Sequence, residues 1–121
     1  RVTAVSTPGH TPGAMSWAWQ SCADDVCLDM VYADSLSPVS RDDYKFSDHP
    51  EYLAAYEAGI ERLGRTDCAI LLTPHTSHSR MLKRMRQDRM VDATACAYYA
   101  IEKARNLETR LRKEGALPDA E

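Results

Sequence analysis

The apolar positions of this chain change period along its length, and the changes predict its elements. Val2-Thr3-Ala4-Val5 reads as a short strand that ends at Ser6-Thr7-Pro8-Gly9. Met15-Ser16-Trp17-Ala18-Trp19-Gln20 alternates large and small, which places Met15, Trp17 and Trp19 on one face. Leu28 to Ala33 forms a further strand, with the stretch from Cys22 to Cys27 as the turn between them. Asp34-Ser35-Leu36-Ser37-Pro38 breaks the pattern, and a polar loop dotted with aromatics runs from Val39 to Ser47.

The period then becomes helical. Leu53, Tyr56, Ile60 and Leu63 recur at helical intervals, with Pro50 in the first turn and Gly64 as a stop. Asp48 and Glu51 have the spacing of a capping box. Ala69-Ile70-Leu71-Leu72 is wholly apolar and fits a buried strand that ends at Thr73-Pro74-His75. Ser77 stands where it can cap a short helix through Met81, Leu82 and Met85. A long helix runs from about Val91 to Lys113 and turns Ala95, Tyr98, Ile101 and Ala104 inward.

Three strands, a helix, one strand and two helices predict an α+β fold. The strands are apolar on more sides than these helices can cover, so the sheet requires a further packed layer. The plainer reading is a complete small α+β domain, and the sharper one is half of a larger sandwich.

Composition narrows the function. A length of 121 residues is room for one domain. No apolar run approaches the roughly 20 residues of a membrane helix. The net charge of −3 argues against a general cationic field for nucleic acid. Arg80, Lys83, Arg84, Arg86 and Arg89 then read as a solvated face, and neither nucleic acid nor membrane is expected as a partner. Arg1 leads directly into a strand, without an initiator methionine or signal-like segment, so the chain reads as one joined in mid-fold.

Four cysteines allow three pairings, and the sequence alone does not choose among them. Cys22 and Cys27 occupy opposed positions at a hairpin mouth, while Cys68 and Cys96 are placed for a long-range bridge. Two bridges in an exported protein are favoured over four buried thiols. A zinc ribbon is not indicated, because there is no Cys-x-x-Cys pair.

The stretch Thr7-Pro8-Gly9-His10-Thr11-Pro12-Gly13 holds a histidine on a turn stiffened by two prolines, which suits a metal ligand. Leu71-Leu72-Thr73-Pro74-His75 repeats the device at the end of a strand, with His78 three residues on. His49 and His78 read as structural or surface histidines. In Tyr32-Ala33-Asp34-Ser35-Leu36-Ser37 the two serines point the same way if the chain stays extended, offering two donors to an anion. No Gly-x-Ser-x-Gly elbow exists, so covalent serine catalysis is not expected. Trp17, Trp19 and the tyrosines are expected in the core.

These three stretches, in this order, resemble the metallo-β-lactamase superfamily. The stretch from Tyr32 to Ser37, with serine where another subclass carries a zinc-binding cysteine, resembles subclass three of class B. The resemblance covers nearly all of this chain but only the carboxy-terminal half of such a protein. It implies the carboxy-terminal half of an αβ/βα sandwich, with a mixed sheet and helices on its outer face. It also implies a β-lactam hydrolase of the periplasm, conferring antibiotic resistance, with two zinc ions that activate water for ring opening.

By the same resemblance His10 and His75 are ligands of different zinc ions, and Ser35 and Ser37 orient solvent and bind the antibiotic carboxylate. The resemblance also implies the bridges Cys68–Cys96 and Cys22–Cys27. The His-x-His-x-Asp-His motif of the family is nowhere in these residues, and one histidine cannot hold a zinc ion that needs about three protein ligands. The remaining donors are expected from a missing amino-terminal half, and this chain alone is expected to be inactive. Two alternatives stand beside this reading: a lactone or thioester hydrolase of the same fold, and a non-catalytic exported module.

Overall fold

The computed structural model of the chain describes residues 1–118. Strands β1 (Val2–Ser6), β2 (Met15–Ala23) and β3 (Val26–Tyr32) are followed by helix α1 (Pro50–Gly64), strand β4 (Ile70–Leu72) and helices α2 (Met81–Arg86) and α3 (Ala95–Lys113). The sheet has the order β1-β2-β3-β4, antiparallel except for the parallel β3–β4 pair. This is the mixed sheet of an α+β fold. The turn between β2 and β3 is two residues long, with Asp24 and Asp25 both left-handed at φ 51° and 54°. Such a turn matches the twist of the strands it joins. It brings Cys22 opposite Cys27, and these two are bonded, as are Cys68 and Cys96.

Register sorts the side chains into two faces, since directly paired residues share a face. Thr3, Ala18, Val31 and Leu71 lie in one row across the sheet, and Val31 and Leu71, on β3 and β4, are buried. Against this face pack Leu36, Phe46 and the inner residues of α1 and α3: Tyr56, Ile60, Leu63, Cys96, Tyr99, Ala100 and Leu107.

The opposite face carries the rows Val2-Trp19-Met30-Ile70 and Ala4-Trp17-Tyr32-Leu72, and no described element covers it. Trp17 is 43% exposed, Tyr32 39% and Val2 60%. The expectation that both tryptophans belong to the core is therefore corrected. The alternation that set them on one face is right, but the face has no partner layer among the described residues.

Other expectations change as well. Helix α1 has His49 at its N-cap without a side-chain cap bond, and Asp48 ends a 3-10 turn over Phe46–Asp48, so the capping box does not form. Pro50 does take the first turn. Ser77 lies inside a 3-10 turn, and α2 instead begins after Arg80, which is left-handed at φ 53°.

Helix α3 starts at Ala95 and buries Cys96, Tyr99, Ala100, Lys103, Leu107 and Leu111, leaving Tyr98 66% and Ile101 47% exposed. The expected inner face is thus rotated by about one residue. Two attachments set the true phase: the Cys96–Cys68 bond and the Tyr99 hydroxyl, described below. Lys103 on this face hides the signal, because its stem fills the core while its ammonium lies 5.1 Å from the Tyr99 ring centroid.

Because the Cys68–Cys96 bridge closes the longer loop and fixes α3, its removal should cost the most. Replacing both cysteines by alanine is expected to lower unfolding free energy by about 3 kcal/mol. Urea melts of the two proteins under non-reducing conditions measure this.

Candidate functional site

Strands β1, β3 and β4 point the same way, since β2 is antiparallel to both β1 and β3, and β4 is parallel to β3. Their carboxy-terminal ends therefore lie along one edge of the sheet. From these ends emerge the His10 loop, Asp34–Ser37 and Thr73-Pro74-His75, so topology brings the three predicted stretches to one side. His10 and His75 are exposed, Ser35 is buried and Ser37 half-buried.

Where strands end, their backbone groups lose ladder partners, and side chains replace them. The buried Ser16 hydroxyl, at the start of β2, accepts a hydrogen bond from the Asp34 amide at 2.9 Å and pairs with the buried Thr7 hydroxyl at 2.9 Å. One hydroxyl thus joins the end of β1 to the end of β3. The Thr7 amide donates to Ala14 and the Gly9 amide to Thr11, closing the His10 loop on itself. The Tyr52 hydroxyl donates to the Gly9 carbonyl at 2.6 Å. A Cβ on Gly9 would lie 2.8 Å from the Tyr56 ring, so only glycine lets this loop rest on that ring.

Two buried phenols hold the next loop. Tyr99 donates to the Asp34 and Ser35 carbonyls at 2.7 and 3.0 Å, and Tyr56 donates to the Leu36 carbonyl. Burial pushes both phenols well above their ordinary pKa, with Tyr52 raising Tyr56 further and Asp34 adding to both. They therefore remain donors throughout the physiological range. Leu36 is left-handed at φ 51° with a fully buried side chain, a strained conformation that these anchors maintain.

The chain is consequently kinked at Leu36, not extended as the spacing of the serines presupposed. The hydroxyls still meet, with Ser35 donating to Ser37 at 3.1 Å.

The third corner is held by Thr73, whose hydroxyl donates to the His75 carbonyl at 2.8 Å and pairs with Ser79. Arg84 donates to the Leu71 and Ser79 carbonyls, both at 2.8 Å. Its membership of a merely solvated basic face is therefore corrected, whereas Arg80, Lys83, Arg86 and Arg89 are exposed as expected. The His78 ring lies 4.8 Å from that of His75. His78 is half-buried and not a plain surface residue, and this burial pulls its pKa down, with Lys103 and His75 adding to the effect.

Beside His10 opens a cavity of about 430 Å³ lined by Val39, Tyr44, Phe46, His49 and Tyr52. Its wall belongs to the segment 38–49, which the end of α3 holds in place. The Glu114 carboxylate accepts bonds from the Phe46 and Ser47 amides and the Ser47 hydroxyl, all at 3.0 Å, and pairs with Arg110 at 2.8 Å. Arg110 also donates to the Pro38 and Tyr44 carbonyls and the Ser40 hydroxyl. Burial pushes the Glu114 carboxyl up, but the Ser47 and Phe46 amides, Arg110 and the Ser47 hydroxyl outweigh it and hold it below its usual range.

Sequence reasoning missed Ser16, Tyr52, Tyr56, Tyr99, Arg110 and Glu114 as parts of the site. Only the tyrosines carried a signal, since a buried phenol on a helix face needs an acceptor.

The donors of this chain suit zinc in kind but not in number. His10 and His75 present imidazoles at the same sheet edge, and the buried Asp34 Oδ2 has no partner among the described residues. Yet no three His, Cys, Asp or Glu side chains gather as a metal site among the described residues. The residues present do not by themselves hold the ion.

No family model matches the chain. Solved structures do. The metallo-β-lactamase MIM-1 from Novosphingobium pentaromativorans is 38% identical with a TM-score of 0.89, over 98% of this chain and 44% of that one. The MIM-2 metallo-β-lactamase is 48% identical with a TM-score of 0.88, over 94% of this chain and 42% of that one. MEM-A1, a subclass B3 metallo-β-lactamase isolated from a soil metagenome library, is 31% identical with a TM-score of 0.89, over 95% and 47%. The chain thus spans a little under half the length of the proteins it matches.

Two outcomes follow from the hydroxyl and carboxylate anchors. Ser16→Ala leaves the Asp34 amide without its acceptor and should cost about 1–3 kcal/mol, read by urea melts, with faster hydrogen exchange at Asp34. Because the folded pKa of Glu114 lies below its unfolded value, its stabilisation is present above that unfolded value, near ~4.3, and is lost as pH falls through the folded one. Melts from pH 7 to 3 should show a smaller acid-induced loss in Glu114→Gln.

Proposed function

We propose, from its likeness to these proteins, that the chain is the carboxy-terminal half of a subclass B3 metallo-β-lactamase, a zinc-dependent β-lactam hydrolase. The observation that carries the proposal is the common origin of the His10 loop, Asp34–Ser37 and His75 at the ends of three co-directional strands. In this reading an amino-terminal half supplies the other metal ligands and the second sheet of an αβ/βα sandwich. The uncovered rows with Trp17 and Tyr32 support that second layer: burying such a face is favoured by roughly 25 cal/mol per Å² of apolar surface.

His10 and His75 would each be one ligand of a different zinc ion, with the other donors lying outside this chain. Held there, zinc would supply a water acidic enough to act as a nucleophile near neutral pH. The serines contribute binding. With Ser35 donating to Ser37, the Ser37 hydrogen is free to donate outward, and this hydroxyl binds the carboxylate of the antibiotic. Ser35, bound through its carbonyl to Tyr99, keeps that hydroxyl in place and orients solvent. Two disulfides support an oxidising compartment, which for this reading is the periplasm, where the activity confers antibiotic resistance.

The 121-residue chain alone should leave nitrocefin intact, whereas the product of a reading frame that supplies the amino-terminal half should hydrolyse it. A chelator should abolish that hydrolysis. His10→Ala should reduce it by more than the roughly 10–100-fold that loss of an outer partner of a metal costs. Nitrocefin hydrolysis insensitive to chelator, or lactone hydrolysis without β-lactam hydrolysis, would refute the proposal.

A further inference from the structure

We propose that Arg110 and Glu114 are positioning residues for substrate selection: they hold residues 38–47 in the shape that makes Val39, Tyr44 and Phe46 a wall beside His10, and the pocket so formed takes an aromatic substituent of the substrate. The inference rests on the β-lactam hydrolase reading and deepens it.

The segment between Ser37 and α1 contains no strand and only the 3-10 turn Phe46–Asp48. Most of its backbone groups have no ladder to join. The pair at the end of α3 supplies partners, across sequence separations of 66 to 72 residues. Beyond their mutual bond, the contacts of both side chains go to this segment: Glu114 to Phe46 and Ser47, Arg110 to Pro38, Ser40 and Tyr44. The Arg110 guanidinium also lies 5.3 Å from the Phe46 ring centroid.

The Arg110 and Glu114 side chains are only 17% and 4% exposed. A buried ion pair is costly to desolvate and is a weak device for stability alone. Directed at one irregular segment, it selects one conformation of that segment.

That conformation builds flat walls. Tyr44 stacks on His49 at 4.6 Å with planes 8° apart, and meets Phe46 edge-on at 5.2 Å. The cavity of about 430 Å³ is within the size range of small-molecule sites and has His10 on its border. Aromatic walls of this kind favour a flat apolar group through stacking and edge contacts. A substrate centred on the metal edge would place such a substituent there.

The test uses the complete protein and two penicillins, benzylpenicillin and 6-aminopenicillanic acid, which lacks the aromatic substituent. Glu114→Gln and Arg110→Met should each raise KM for benzylpenicillin about tenfold, with kcat within about twofold and little change for 6-aminopenicillanic acid. Glu114→Asp should recover part of the loss. Leu107→Ala, a core lesion in the same helix, should lower Tm without altering the ratio of the two KM values.

Phenylacetate, followed by shifts of the Tyr44 and His49 ring signals, reads the pocket without turnover. If phenylacetate binds and Glu114→Gln abolishes binding while neither penicillin is hydrolysed, the hydrolase reading fails and the aromatic pocket stands. If phenylacetate leaves those signals unmoved, or if Leu107→Ala shifts the KM ratio as much as Glu114→Gln, the proposal is overturned.

Discussion

The Ser16 hydroxyl is the small contact on which the edge of this sheet depends. It sits fully buried at the start of β2, between the last residues of β1 and β3, and satisfies groups from both. A buried hydroxyl with partners on two neighbouring strands fixes the spacing of the loops that leave them. The Asp34 amide has already left the ladder at that point, and without Ser16 it would be a buried donor with no acceptor. The tyrosines extend the same principle upward, each aiming one hydroxyl at a carbonyl that no strand can serve. The histidine and serine loops are thus held by hydrogen bonds from residues that take no part in the proposed chemistry.

The sheet presents a second constraint through its two faces. One is sealed by α1 and α3, and α1 comes close to the end of β1 through Gly59, where a Cβ would lie 3.1 Å from the Thr7 Cα. That approach presses α1 against the His10 loop, so packing of the helix and placement of the loop are one problem. The other face carries tryptophan, tyrosine and methionine rows with no described cover. The chain spans under half the length of the proteins it matches, and in the proposed reading this uncovered face is where a second layer packs.

Segment 38–49 connects these parts over long range. Its conformation is set by an ion pair some seventy residues away in sequence, on the last turn of α3 and the residue after it. The helix that packs the core, anchors Cys96 and clamps the serine loop through Tyr99 also shapes the wall beside His10. Coupling of that kind follows from one rigid element having several attachments on one side.

Much of this was legible from the sequence. Short-range alternation set Trp17 with Trp19, and an unbroken apolar run predicted β4, because both patterns are local properties of the chain. Proline and glycine marked the His10 and His75 loops for the same reason, and their order identified the family. Local patterns failed where a distant partner decides the outcome. The inner face of α3 could not be read because a disulfide and the Tyr99 hydroxyl set its phase while a buried lysine hid it, and hydropathy counts none of the three. The capping box at Asp48 failed because a 3-10 turn over Phe46–Asp48 took its place, in a segment tied to Glu114. The sequence by itself therefore determined the strands and helices and the loops that carry the histidines and serines. Only the tertiary structure decided which end of the sheet they share and which hydroxyls and charges hold them there, because a hydrogen bond between residues far apart in the chain leaves no periodic trace.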